Sequence, residues 1–417
     1  MSDLLINADL YDHRAEEEPT EEMARPGRDL LRAILAECTE LSVSDIQFRT
    51  DRLIYAEDHR GMFLLDHYGE MDANALLAIL HELCYFKEKT NPAHIGEKEL
   101  LSAYEETLTQ LREKRVADFS TRTIPLDDEG HASGRLRVQA HFSNSGLGIT
   151  CRLLNPRIPE LEELGFAPDT IRTLQSAVLR RAGLCLVTGP TGSGKSTTLA
   201  SLIDWVRRQQ RKHIVTIEDP VEYLYPHDID GPGGERLPSP GIITQQEVGR
   251  DVESFRQGLK DVLRKAPHVI LLGEIRNRES METCLEAAQT GHLVLSTLHT
   301  TGSVRTVGRI LELFPRDKHE AVLHRLSETL VFILSQGLLN SRNGRALTYE
   351  FLHNQDDACA SAVASYWRGS GALQEVITRA GNIEWDASLE RLLGQGLIDE
   401  ETFVNNRMRR EDNAHGI

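Results

Sequence analysis

The segment Gly189-Pro190-Thr191-Gly192-Ser193-Gly194-Lys195-Ser196 constrains this chain more than any other. It fits the eight-residue phosphate-loop pattern in full. The apolar run Leu184–Thr188 precedes it and the helix-forming stretch Thr198–Val206 follows it, which supplies the strand–loop–helix context the motif needs. Glycines let the backbone curl until several N–H groups face one anion, and the helix amino terminus adds its dipole. In such a loop Lys195 reaches the β- and γ-phosphates and the Ser196 hydroxyl holds Mg²⁺. The expected nucleotide contacts are these eight residues together with Thr197.

Binding alone is not turnover. Hydrolysis needs groups that orient water and offset developing charge. Two acidic positions lie just past expected strands, at the carboxyl ends where α/β sheets hold ligands. Glu218 opens Glu218-Asp219-Pro220-Val221-Glu222 after Ile214–Ile217, and Glu274 follows Gly273 after Val269–Leu272. Together they could share a metal, its waters and the attacking water, with Glu274 reaching Mg²⁺ through water. His292 and His299 bracket the last buried run. A strand between them carries them to opposite ends of the sheet, so joint metal ligation is not expected. His299, at the carboxyl end, is placed to bond the γ-phosphate or a catalytic acid.

The remaining short apolar runs alternate with helical patterns, which indicates a largely parallel, doubly wound α/β sheet. Before Pro156 the pattern is different. Strands are expected at Asp45–Phe48, Leu53–Ala56, Met62–Leu65, Ala117–Ile124, Arg135–Phe142 and Gly148–Leu154, with helices at Ala73–Phe86 and Glu97–Lys114. The expected organisation is a flexible acidic arm over 1–27, an α+β domain over 28–155, and a doubly wound α/β domain over 156–417. The last of these is expected to turn helical again from about 341. The Gly- and Pro-rich segment 226–241 reads as an irregular loop.

Charge bears on the partner. Asp and Glu number 64 against 47 Lys and Arg, a formal charge of −17, and this field disfavours nucleic acid phosphate. The six cysteines lie far apart in sequence, at no metal-ligand spacing, and read as buried free thiols. Leu330–Leu339 is the longest apolar stretch; Ser335, Gln336 and Gly337 interrupt it, and it is about half the ~20 residues a membrane span needs.

From Gly189 to Arg309 the chain resembles the secretion and type IV pilus ATPase superfamily, and most of all its pilus-retraction branch. The carriers are GPTGSGKSTTLASLI at 189–203, TIEDPVEY at 216–223, QQEVGRDVESFRQGLKDVLR at 245–264, GEIR at 273–276 and TGHLVLSTLHTTGSVRTVGRI at 290–310. The resemblance implies a RecA-like ATPase domain preceded by a PAS-like domain and followed by a helical tail. It further implies a homohexameric cytoplasmic ring that uses ATP and Mg²⁺ and is associated with the inner membrane through a platform protein. By the same resemblance Glu218 is the catalytic glutamate, Glu274 the Walker B acid, and His292 and His299 the histidine box, with His292 among the expected nucleotide-binding residues. Arg137 and Arg152 match arginines that reach the nucleotide. Ala266, His268 and Asn277 depart from the acids usual at their positions. Pilus retraction, pilus assembly, and type IVB or conjugative secretion all stay open. So do a RecA-like nucleic-acid motor and a regulatory module that binds nucleotide without turnover.

Overall fold

The structure, a computed structural model, describes residues 21–58, 60–86, 97–121, 124–125, 133–154, 157–230, 235–342, 344–379 and 381–408. The chain divides into two compact units, Met1–Pro156 and Arg157–Ile417.

In the first unit the helices are α1 (Glu21–Glu40), α2 (Ala73–Tyr85) and α3 (Glu97–Lys114). The strands are β1 (Asp45–Arg49), β2 (Ile54–Asp58), β3 (Gly61–Leu65), β4 (Val116–Ser120), β5 (Ile124–Pro125), β6 (Ser133–Ser143) and β7 (Gly146–Leu154). They form one antiparallel sheet in the order β3-β2-β1-β7-β6-β4, with β5 beside β6. Alternation explains its two faces. Leu136, Val138 and Ala140 of β6 are buried in a core with Leu31 and Ile34 of α1 and Leu76 and Leu80 of α2, while Arg137 and Gln139 are exposed.

Two expectations change here. The segment expected as a single strand at Ala117–Ile124 is two strands, β4 and β5. The arm expected over 1–27 lies outside the described residues as far as residue 20, but from Glu21 the chain is helical through Pro26-Gly27. Close packing accounts for the glycine: a Cβ at Gly27 would sit 2.8 Å from the Ala78 Cβ of α2.

The second unit opens with α4 (Pro168–Val178), β8 (Gly183–Thr188), α5 (Lys195–Gln209) and β9 (His213–Glu218). It continues through β10 (Asp228–Asp230), β11 (Arg236–Pro238), β12 (Ile242–Glu247), α6 (Phe255–Val262), β13 (Val269–Leu272), α7 (Arg278–Gln289) and β14 (Leu293–Leu298). Then come α8 (Ser303–Glu312), α9 (His319–Thr329), β15 (Leu330–Ser341) and β16 (Gly344–His353). Four short helices close it: α10 (Asp357–Ala364), α11 (Gly371–Ile377), α12 (Trp385–Gly394) and α13 (Glu400–Asn406).

The main sheet runs β12-β9-β13-β14-β8-β15-β16, parallel except for β16. Both faces are covered. Leu184 and Leu186 of β8 join a core with α7 to α9, and Cys185 and Val187 join a core with α4 and α5. That is why its central strands read as unbroken apolar runs. The helical region expected from about 341 is preceded by β16, which pairs with β15. The segment 226–241, expected to be irregular, contains the small β10–β11 ladder; residues 231–234 of it lie outside the described set. All six cysteines are free and buried, as expected.

Candidate active site

Four parallel strands deliver their carboxyl ends to one edge of the sheet. β8 runs into the glycine loop and α5, β9 ends on Glu218, β13 is followed by Gly273-Glu274, and β14 is followed by His299.

Gly189, Gly192 and Gly194 have φ of 145°, 77° and 84°, which L side chains avoid. At Gly189 space forbids a side chain as well, since a Cβ would lie 2.2 Å from the backbone oxygen of Gln336. Gly194 is the N-cap of α5 and supplies no side-chain acceptor, so the first-turn amides of that helix stay directed at the loop's concavity. Pro190, Thr191 and Gly192 form the tip of the loop, and Ser196 stands at the helix start, exposed like Pro190 and Thr191. Lys195 is buried, and its Nζ donates to the carbonyls of Gly189 (2.9 Å) and Pro190 (2.8 Å). Burial lowers the ammonium's pKa, while the charges of Glu274 and Glu222 pull it back up. The Ser193 hydroxyl is buried with no partner among the described residues. Convergent amides, a lysine and an unpaired hydroxyl fit a polyphosphate.

Thr197 behaves differently from the rest of the loop. Its hydroxyl pairs with the Tyr223 phenol at 2.8 Å. That bond ties α5 to the acidic segment after β9. Glu218 Oε1 accepts from the Thr216 hydroxyl (2.6 Å) and from Gln245 Nε2 (3.4 Å), and Gln245 Nε2 also donates to the Tyr223 carbonyl (2.8 Å). Glu218 is therefore oriented from its own strand and from the neighbouring β12.

Glu274 pairs with Arg276 (Nε to Oε2, 2.8 Å), and His299 Nε2 lies 3.4 Å from its other oxygen. Among the described residues no group of three or more His, Cys, Asp or Glu is placed to hold a metal by itself. Mg²⁺ commonly rests on one or two protein oxygens plus water and substrate phosphates, and Ser196 and Glu274 are donors of that kind.

His292 does not belong to this edge. It precedes β14, its carbonyl accepts from the Gly183 N–H at the start of β8, and its Nδ1 lies 3.0 Å from the Ala287 carbonyl. A six-residue strand separates it from His299 by about 20 Å. With Arg181, Lys212 and His268 it lines a cavity of about 260 Å³ at the opposite end of the sheet. The expectation that it binds nucleotide is corrected by strand direction. Arg137 and Arg152 lie in the first unit, directly opposite one another on β6 and β7. Both are exposed, and Arg152 donates to Asp45 at 2.8 Å.

Sequence reasoning missed Gln245, Tyr223 and Gln336. A signal for Gln336 existed: a polar residue inside an apolar run has to find a buried partner. One departure from the family pattern is absorbed locally. Asn277 caps α7 by accepting from the Ser280 N–H at 2.9 Å, which an aspartate there would also do.

A family model described as "Type II/IV secretion system protein" matches residues 106–388. "Uncharacterized protein YggR" of Escherichia coli is 42% identical over 221 residues, or 53% of this chain, and the match spans 63% of that protein. "Type IV pilus retractation ATPase PilT" of Pseudomonas aeruginosa is 35% identical over 322 residues, covering 75% of this chain and 86% of that one. A solved structure, "Crystal Structure of the Pilus Retraction Motor PilT and Bound ADP", superposes with a TM-score of 0.74 at 30% identity, covering 91% of this chain and 98% of that one. With its phosphate loop, strand-end acids and RecA-like sheet in that setting, the chain belongs to the type II/IV secretion system ATPase family and is most similar to the pilus-retraction branch.

Proposed function

We propose that this chain hydrolyses ATP as one subunit of a cytoplasmic homohexameric ring. The ring passes the resulting motion to an inner-membrane platform protein of a type IV pilus or a type IV/IVB (conjugative) secretion machine. The observation that carries this reading is the convergence of Lys195, Glu218 and Glu274 at one edge of a parallel sheet. The ADP bound to the similar pilus retraction motor supports it. Among the described residues no helix is long and apolar enough to cross a membrane, so attachment through a partner suits the chain.

The loop amides from Gly189 to Ser196 hold the phosphates, and Lys195 turns from the loop carbonyls to the β- and γ-phosphates. Glu218 takes a proton from water as the water oxygen bonds to the γ-phosphorus and the bond to the bridging oxygen of ADP breaks. Ser196, with Glu274 through water, would hold Mg²⁺, which when bound would offset charge on the phosphate oxygens. His299 orients Glu274. Arg137 and Arg152 act as cationic fingers on a nucleotide, and ring assembly is what brings them there.

Steady-state phosphate release by purified protein, with mass photometry on the same sample, tests the proposal. Mg²⁺-dependent release by a six-fold species is expected, with no stimulation by DNA. Stoichiometric ADP binding without release would leave only a nucleotide-binding module, and salt-sensitive stimulation by DNA would indicate a nucleic-acid motor.

A further inference from the structure

We propose that Gln336 is a positioning residue that holds the phosphate loop ready for nucleotide, an inference that rests on the ATPase reading above. β15 lies beside β8 in parallel register, with Ser335 opposite Thr188, so the next residue along meets the loop as it leaves β8. Gln336 is fully buried, in a run that is largely apolar. Its Nε2 donates to the Ser193 carbonyl at 2.6 Å across 143 residues of sequence.

Two of the loop's glycines answer to this same residue. A Cβ on Gly189 would strike the Gln336 backbone oxygen at 2.2 Å, and one on Gly194 would stand 3.2 Å from its Nε2. The first contact is with backbone and has no way to yield, and the second would displace the carboxamide. Gln336 thus lies against the loop at its entry, where there is room for glycine alone, and holds its turn into α5 through a hydrogen bond. The carboxamide orientation follows from chemistry, because the reverse flip would press oxygen against the Ser193 oxygen. A loop held this way has its amides converged before nucleotide arrives, so ordering cost falls on folding and not on binding. The expected effect of losing Gln336 is weaker nucleotide binding, with the chemical step at saturation little changed.

The test compares two shape-conserving variants. Gln336→Met removes the donor and keeps the length, whereas Gln336→Glu keeps the shape and offers a donor only as the neutral acid. Fluorescent ADP titration should give a dissociation constant raised about tenfold in Gln336→Met, on the scale of a lost buried hydrogen bond, and raised further in Gln336→Glu once rising pH ionises the carboxyl. KM should follow the same order while kcat stays within about threefold. Thr348→Val, on the adjacent strand, controls for loss of a buried polar atom away from the loop and should bind normally. Equal loss in all three variants would assign Gln336 to general packing, and unchanged affinity in folded Gln336→Met would overturn the proposal. If neither Gln336 variant folds, hydrogen exchange of the unaltered chain decides at the two loop amides that have backbone acceptors: those of Gly189 and Ser193 should be protected without nucleotide, and exchange at coil rates there would overturn the preformed loop. Lys195→Ala separates the underlying reading, since a chain whose ADP affinity ignores that change holds its phosphates away from this loop whatever Gln336 does.

Discussion

Replacing Lys195 by alanine is expected to remove turnover and to weaken nucleotide binding with it. The ammonium is buried at the centre of the loop and held by two of the loop's own carbonyls. Those acceptors are neutral and burial disfavours the charge further, so a polyphosphate is the stronger acceptor. Removing the side chain leaves the carbonyls of Gly189 and Pro190 turned toward the phosphates with no cation between. A fall in kcat/KM of about 10²–10³ or more is expected, the scale set by losing one charge-stabilising donor. Phosphate release and ADP titration on one preparation read both effects, with a thermal melt to establish that the variant is folded. Near-normal affinity in folded protein would place the phosphates somewhere else.

Glu218→Gln should separate binding from chemistry. The substitution keeps the side chain's length and an oxygen able to accept from the Thr216 hydroxyl, so the end of β9 should hold its shape. It removes the proton acceptor. The expected result is a loss of about 10²–10⁴ in kcat, the usual contribution of a general base, with ATP affinity within about threefold. Single-turnover quench measurements beside equilibrium binding read the two terms apart. Substantial hydrolysis by the variant would move the base to another carboxylate, and Glu274, already paired with Arg276 and close to His299, is the nearest alternative in chemistry.

The parts of the site that were legible in the sequence are those built from consecutive residues. Gly189–Ser196 carries its own conformational demands, and Glu218 and Glu274 follow runs whose unbroken hydrophobicity marks strands covered on both sides. What was hidden depends on pairing between distant segments. β12 reads Ile242-Ile243-Thr244-Gln245-Gln246-Glu247, largely polar because it is the outer strand beside β9, and no apolar run announces it. Its Gln245 reaches Glu218 only once the two strands are in register. The hairpin of β15 and β16 was obscured for a related reason, since the expected return to helix at about 341 overlooked a second strand. At Pro26-Gly27 a local breaker rule gave way to packing, where α1 presses its glycine against Ala78. His292 and His299 share a motif in sequence and part company in space because extended backbone separates what numbering keeps together.

The residue after Gln336 is Gly337, and the indole of Trp385 lies so close to it that a Cβ there would stand 2.9 Å from the ring. Trp385 is buried, and its Nε1 donates to the Asn406 carbonyl near the end of the described chain. An indole's emission answers to the polarity and closeness of its surroundings. With Trp205 and Trp367 replaced, that indole is an optical gauge one peptide unit from the glutamine that braces the phosphate loop.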